Sequence, residues 1–160
     1  MRTKIVLLCA GTLALATGLL IGSATSQAST ANVDLNITGG TVAGFTAAQP
    51  WQELPVSFTM TNHSSSIATS VDFQFTVTNA TASGEDYVCP TVGDGFNINP
   101  DTPFCEAGVL GPHKRTSAAI LVTPTISSGT VTVRACANDE AGHPDPQPGN
   151  NCKTVSIPIE

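Results

Sequence analysis

The stretch Val71-Asp72-Phe73-Gln74-Phe75-Thr76-Val77 sets an apolar side chain at every second position. A chain patterned this way forms a strand with one face buried and one face wet, and it needs a second sheet to cover the buried face. The same period recurs in Val33, Leu35 and Ile37, closed by Gly39-Gly40, and in Leu54, Val56, Phe58 and Met60, followed by the polar turn Asn62-His63-Ser64-Ser65-Ser66. It returns at Ala118, Ile120 and Val122, then at Val131, Val133 and Ala135 after Ser127-Ser128-Gly129, and finally at Val155, Ile157 and Ile159. Pro158 lies on the opposite parity of that last run, which points to an edge strand or to the strand's last residues. No helix of ordinary length is legible beyond residue 28. Residues 80–110, broken by Gly84, Gly93, Gly95, Pro90, Pro100 and Pro103, read as a long irregular connection with one or two short edge strands. Six or seven strands without helices predict an all-β fold, an immunoglobulin-like antiparallel β-sandwich of about seven strands, with a small barrel as the alternative.

The first 28 residues stand apart from this pattern. Arg2 and Lys4 precede a nearly unbroken apolar run from Ile5 to Ile21, and Ser26-Gln27-Ala28 supplies the small-x-small pattern that signal peptidase accepts. Residues 1–28 therefore read as a signal peptide and 29–160 as a single domain. A retained anchor fits less well, because the run is at the short end for a span. Cleavage removes two of the six basic residues and leaves four against twelve acidic ones, a net charge of −8. Such a chain cannot hold a phosphate backbone, so nucleic acid is excluded as a partner, and anionic membrane surfaces with it.

Cys9 leaves with the leader, so the mature chain keeps Cys89, Cys105, Cys136 and Cys152. An even count in an exported chain predicts two disulfides. Both neighbouring pairs are sixteen residues apart, and closing the short local loops gives Cys89 with Cys105 and Cys136 with Cys152. Parity supports the second pair. Val131, Val133 and Ala135 share one face of their strand and leave Thr132, Arg134 and Cys136 on the other, while Cys152, Thr154 and Ser156 lie opposite Val155, Ile157 and Ile159. In an antiparallel hairpin both thiols then project to the same side and clamp the base of a loop.

That loop, residues 137–151, contains His143, Asp145, Gln147, Asn150 and Asn151 and alternates proline with polar residues, which forbids a helix. Those five residues are the candidate interaction surface. A zinc site at Cys136, His143 and Cys152 lacks the short chelating spacings and competes with disulfide formation. No metal site is assigned. Asp139, Glu140 and Asp145 are the calcium candidates by residue type, although their spacing matches no EF-hand loop. No G-x-S-x-G elbow and no P-loop occurs, His63, His113 and His143 all fall in turns, and Glu85, Asp86, Asp94, Asp101 and Glu106 read as solvated loop charges, so no catalytic residue is assigned. His113-Lys114-Arg115 is the only basic cluster and reads as a solvated turn. Trp51, the only tryptophan, offers a face for a sugar ring but reads first as core or as a lid over one end of the sandwich. Asn36, Asn62 and Asn79 begin N-x-S/T acceptor triplets.

The order of motifs resembles the CARDB family (cell-adhesion-related domain found in bacteria) and its relative, the conserved-repeat domain of unknown function eleven. Thr61 and Asn62 match the family's T-V-T-N-x-G strand end. Cys105, Gly108, Leu110, Gly111 and Pro112 match its C-x-L-G-x-L-x-P-G turn, and Asp145, Pro148, Asn150 and Asn151 match its D-x-x-P-x-x-N-N segment. The sequence departs from the family at His63 and Ser64, where Asn-Gly is usual, and at His113, where glycine is usual. The resemblance covers residues 32–160 and implies an immunoglobulin-like sandwich in an exported bacterial protein, associated with adhesion and carrying no catalytic residues. The expected function is a secreted, non-catalytic binding or structural module, extracellular or loosely attached to the surface, whose partner is an extracellular protein or wall glycan. A protease inhibitor presenting the loop 137–151 and a small-ligand carrier are the alternatives.

Overall fold

A computed structural model describes residues 31–40, 45–82, 87–88 and 104–160. Among them are nine strands: β1 (Leu35–Gly39), β2 (Leu54–Asn62), β3 (Ala68–Thr78), β4 (Ala80–Thr81), β5 (Tyr87–Val88), β6 (Phe104–Leu110), β7 (Arg115–Pro124), β8 (Gly129–Asp139) and β9 (Cys152–Ile159). Two of these are only two residues long, which leaves seven of ordinary length. The alternating runs became strands with the expected faces inward. Leu54, Val56, Phe58 and Met60 are buried along β2, while Pro55 and Ser57 between them are exposed.

The ladders between the named strands are all antiparallel and form two sheets. One has the order β1-β2-β7, with β4 and β5 added along the free edge of β7, and the other runs β6-β3-β8-β9. A single core cluster joins their inner faces, so the fold is an immunoglobulin-like sandwich. Phe58 of the first sheet meets Phe75 of the second with ring centroids 6.0 Å apart, and Phe75 in turn lies 6.1 Å from Phe73 on its own strand. Such rings each hold several kcal/mol of burial and packing; truncating one to alanine costs roughly 3–5 kcal/mol.

The Gly39-Gly40 pair does more than end β1. Both residues have left-handed backbone (φ 89° and 95°), and a Cβ on Gly40 would collide with the Val155 side chain of β9 in the other sheet. Only glycine fits there. Beyond it, Ala48 bridges to Ile159: its N–H donates to Pro158 O at 2.9 Å and its carbonyl accepts from Glu160 N at 3.0 Å. Pro158 therefore sits on an edge strand, with its missing N–H on the side away from β8.

The described residues of 80–110 form the expected edge strands: the short β4 and β5 along β7, and a longer one beside β3. Phe104–Leu110 is a seven-residue strand paired along β3, with irregular register around Val71. Gly108 (φ 70°) and that irregularity break the alternation that would have announced it. Cys89, Glu85, Asp86, Asp94, Asp101 and the leader 1–28 lie outside the described residues. So does the first predicted disulfide as a pair: Cys105 is buried and disulfide-bonded, but only Cys136–Cys152 is described at both ends. Among the described residues no helix is long and apolar enough to cross a membrane.

Trp51 does not join the core. Gln49 to Gln52 form a turn closed by Gln52 N–H to Gln49 O at 3.3 Å, with Pro50 at its second position and Trp51 at its third. The ring is 68% exposed, and φ is 63°, a region that suits glycine or asparagine. Gly111 to Lys114 repeat the geometry, with Pro112 second and His113 third at φ 55°. Glycine would take that third position without strain, and His113 occupies it here.

Candidate functional site

Cys136 and Cys152 stand directly opposite each other in the β8-β9 ladder, with Cα atoms 4.1 Å apart and a disulfide between them. The next pair up is hydrogen-bonded, Ala137 N–H to Asn151 O at 2.7 Å, so the cysteines occupy the close, non-hydrogen-bonded type of position. The parity reading thus holds: Val131, Val133 and Ala135 are buried, and the disulfide lies on the outer face.

Above the clamp the loop is knitted shut. Asp139 accepts at Oδ1 from Ala141 N–H (3.0 Å), its carbonyl accepts from Gly142 N–H (3.0 Å), and its Oδ2 lies 2.6 Å from His143 Nδ1. Asp145 divides its carboxylate, with Oδ1 accepting from Gln147 N–H at 2.7 Å and Oδ2 from Leu35 N–H at 3.1 Å. Pro148–Asn150 form a 3₁₀ turn. Two further bonds fasten the loop to the chain entering β1: Val33 N–H to Pro144 O at 3.1 Å, and Asn150 Nδ2 to Asp34 Oδ1 at 3.3 Å. A hairpin loop of one sheet is thereby folded over the end of the sandwich and tied to the first strand of the other.

Of the five residues expected to face a partner, Gln147 is exposed, while His143, Asp145, Asn150 and Asn151 are half-buried. His143, Asp145 and Asn150 hold the loop, and Oδ1 of Asn150 and of Asn151 is buried without a hydrogen-bond partner. The calcium candidates do not gather. Asp139 and Asp145 are engaged as described, Glu140 turns away to accept from Ser70 Oγ at 2.7 Å, and among the described residues no three His, Cys, Asp or Glu side chains are placed to hold a metal.

Beside the loop, Asn62 organises the neighbouring turns. It is fully buried; Nδ2 donates to Ser66 O (2.8 Å), Leu110 O (3.1 Å) and Gly111 O (3.3 Å), and Oδ1 accepts from Ser64 N–H (3.0 Å) and Ser64 Oγ (2.7 Å). That amide nitrogen is inaccessible to a glycosyl donor in the folded chain. His63, His113, Lys114 and Arg115 are exposed around it.

One buried charge was not singled out by sequence. Asp72, on the outer face of β3, is 4% exposed, and its carboxyl is pushed above the ordinary value by burial, with the charges of Glu140 and Glu106 adding to the effect. Its place in the polar half of an alternating strand gave it the pattern of a solvated residue. The only signal was its setting between Val71 and Phe73.

No protein-family model matches the sequence, and no curated protein matches it. The crystal structure of the CARDB domain of the PF1109 protein from Pyrococcus furiosus, in complex with di-metal ions, superposes with a TM-score of 0.54 at 13% identity, over 82% of this chain and 90% of that one. The solution structure of the same domain gives 0.52 at 13% identity, over 80% and 94%. The chain has the fold of a CARDB domain. At that identity the likeness is one of fold, and it agrees with the motifs at Asn62, Gly111-Pro112 and Asn150-Asn151, all of which now have structural duties at one end of the sandwich.

Proposed function

We propose that this chain is a secreted, non-catalytic immunoglobulin-like module that binds an extracellular protein or wall glycan at or outside the cell surface. The observation that carries the reading is the loop 137–151, closed by a disulfide and bonded to β1, which presents Pro144, Pro146, Gln147, Pro148 and Gly149 in one fixed arrangement. A surface already ordered loses little entropy when it binds. The disulfide suits an oxidising compartment, which supports export. The protease-inhibitor alternative draws less from this geometry, because Pro144 O and the Asp145 carboxylate are turned onto β1 and the loop lies against the sandwich instead of projecting from it.

Retention of purified residues 29–160 on whole cells and on isolated wall polymers tests the proposal. The expected result is saturable retention that weakens when Gln147→Arg and Pro146→Gly are introduced together. Failure to be retained by any surface would sink it.

A further inference from the structure

The outer face of the four-stranded sheet holds a second feature, which uses Glu140 at the foot of the loop but none of the residues Pro144–Gly149. At Ser70 (φ 76°) the β3 backbone is irregular, the register with β6 shifts on either side of Val71, and consecutive residues Val71 and Asp72 are both buried. From there the ladder is regular. Asp72 stands between Glu106 of β6 and Asn138 of β8, and Gln74 between Phe104 and Cys136. Glu140 closes the end of this patch, donating its N–H to Ser70 O at 3.0 Å and accepting from Ser70 Oγ at 2.7 Å.

This arrangement is unfavourable as it stands. Two carboxylates directly opposite in an antiparallel pair repel each other. Asp72 has one oxygen, Oδ2, that accepts from Asn138 Nδ2 at 3.2 Å, while Oδ1 is shielded from solvent without a hydrogen-bond partner. A buried carboxylate oxygen that has lost its water and gained no donor is a costly group to keep. Among the described residues neither Asp72 nor Glu140 has a cationic partner, since the one ion pair is His143–Asp139. Asp72 and Glu140 nevertheless line a cavity of about 270 Å³ together with Gln74 and Phe104, and a smaller one of about 90 Å³ with Ser70, Val71, Glu106 and Gly108.

The lining selects the ligand class. Among the described residues no three acidic, histidine or cysteine side chains are placed to hold a metal, so their negative groups are spread around the space instead of focused on a point. The larger cavity is smaller than the range that takes a whole drug-sized molecule, which fits a side chain or a fragment. The described lining supplies two carboxylates, an amide and an aromatic ring, a set that matches a flat cation with several divergent N–H donors. A guanidinium group has that shape, pairs with carboxylates through its donor fork and stacks on aromatic faces. We propose that the pocket bounded by Asp72, Gln74, Phe104 and Glu140 binds a guanidinium group carried on a short alkyl chain. The site shares no residue with the presented stretch Pro144–Gly149, so loss of retention on cells and polymers leaves it untouched.

Titration of the isotopically labelled domain at fixed ionic strength, read by backbone amide shifts, tests this with four probes: agmatine, a short arginine peptide, the same peptide with citrulline in place of arginine, and calcium. Saturable shifts centred on Asp72, Gln74, Phe104 and Glu140 are expected with agmatine, the arginine peptide, or both. A tighter arginine peptide identifies a partner's side chain as the source, and an equal or tighter agmatine identifies a free cation. Citrulline, which keeps the shape and loses the charge, should bind about tenfold more weakly or worse. Asp72→Asn should cost the same factor, and Glu140→Gln, at an exposed position that does not enter the core, gives a second check if the first variant folds poorly. Absence of saturable shifts with both guanidinium probes, equal binding of the citrulline peptide, or saturation by calcium alone would overturn the assignment.

Discussion

Replacing Asn62 with alanine removes five side-chain hydrogen bonds at a fully buried position. Not all of them count equally. Ser66 O is only partly buried and Gly111 O also accepts from Lys114 N–H at 3.2 Å, so both keep or find partners. Leu110 O lies in the buried part of the network and Ser64 N–H in a partly buried part, and these two lose what they have. At about 1–3 kcal/mol for each group left without a partner, and with a small cavity added, the expected loss is about 3–5 kcal/mol. That is a large share of the 5–15 kcal/mol typical of a domain. Asn62→Asp should be at least as damaging at neutral pH, because it points a carboxylate oxygen at three carbonyls in place of an N–H₂. Urea unfolding followed by circular dichroism is the suitable assay, since Trp51 is already 68% exposed and its fluorescence changes little on unfolding. A measured loss below about 1 kcal/mol for Asn62→Ala would show that water replaces the amide at no cost, and the network would then be decoration.

Three further outcomes are expected. Converting both Cys136 and Cys152 to serine should lower stability by about 3 kcal/mol, the loop-closure value for a link of this span, and should speed amide exchange in residues 137–151; unchanged exchange would mean that the bonds to β1 suffice. Trp51→Gly should raise stability by about 0.5–1 kcal/mol, the relief of left-handed backbone less the added freedom of the unfolded chain, and a loss would mean that the ring makes a contact worth more than its strain. Asp72→Asn should alter the pH profile. Because the folded value is raised, the stability associated with Asp72 is fully present below the ordinary carboxylate value and is lost as pH rises through the folded one. The variant should therefore match the wild type in acid and exceed it at pH 7 by about 1 kcal/mol or more, and parallel profiles would refute the cause given for the shift.

What was legible in the sequence follows from which forces act locally. β2, β3 and β8 declare themselves because Phe58, Phe73 and Val133 each sit in a run where the next inward residue is two positions away. The Cys136–Cys152 clamp was readable for the same reason, parity being a property of the two strands alone. β6 was legible only as one of the short edge strands of 80–110, without place or length, because Gly108 and the shifted register interrupt its alternation. The closing of the loop onto β1 was beyond reach. Asp145 meets Leu35 N–H across 110 positions of sequence, and nothing near either residue encodes the other. The calcium candidates failed to gather on the same ground, since Glu140 is fixed by Ser70, on a strand that the loop's own composition does not mention. Trp51 shows the reverse case: its apolar bulk argued for the interior, whereas the preceding proline set a turn that faces it to solvent.

The Cys136–Cys152 link also determines how the domain carries load. Tension applied at the C-terminus peels β9 from its last residues backward, because antiparallel strands pulled from the same end part like a zipper. The peel stops at the disulfide, having freed only residues 153–160, about 28 Å of extended chain. Past that point force passes through a covalent bond into β8, which is still paired along its other edge with β3, so further yielding has to break the β3–β8 ladder.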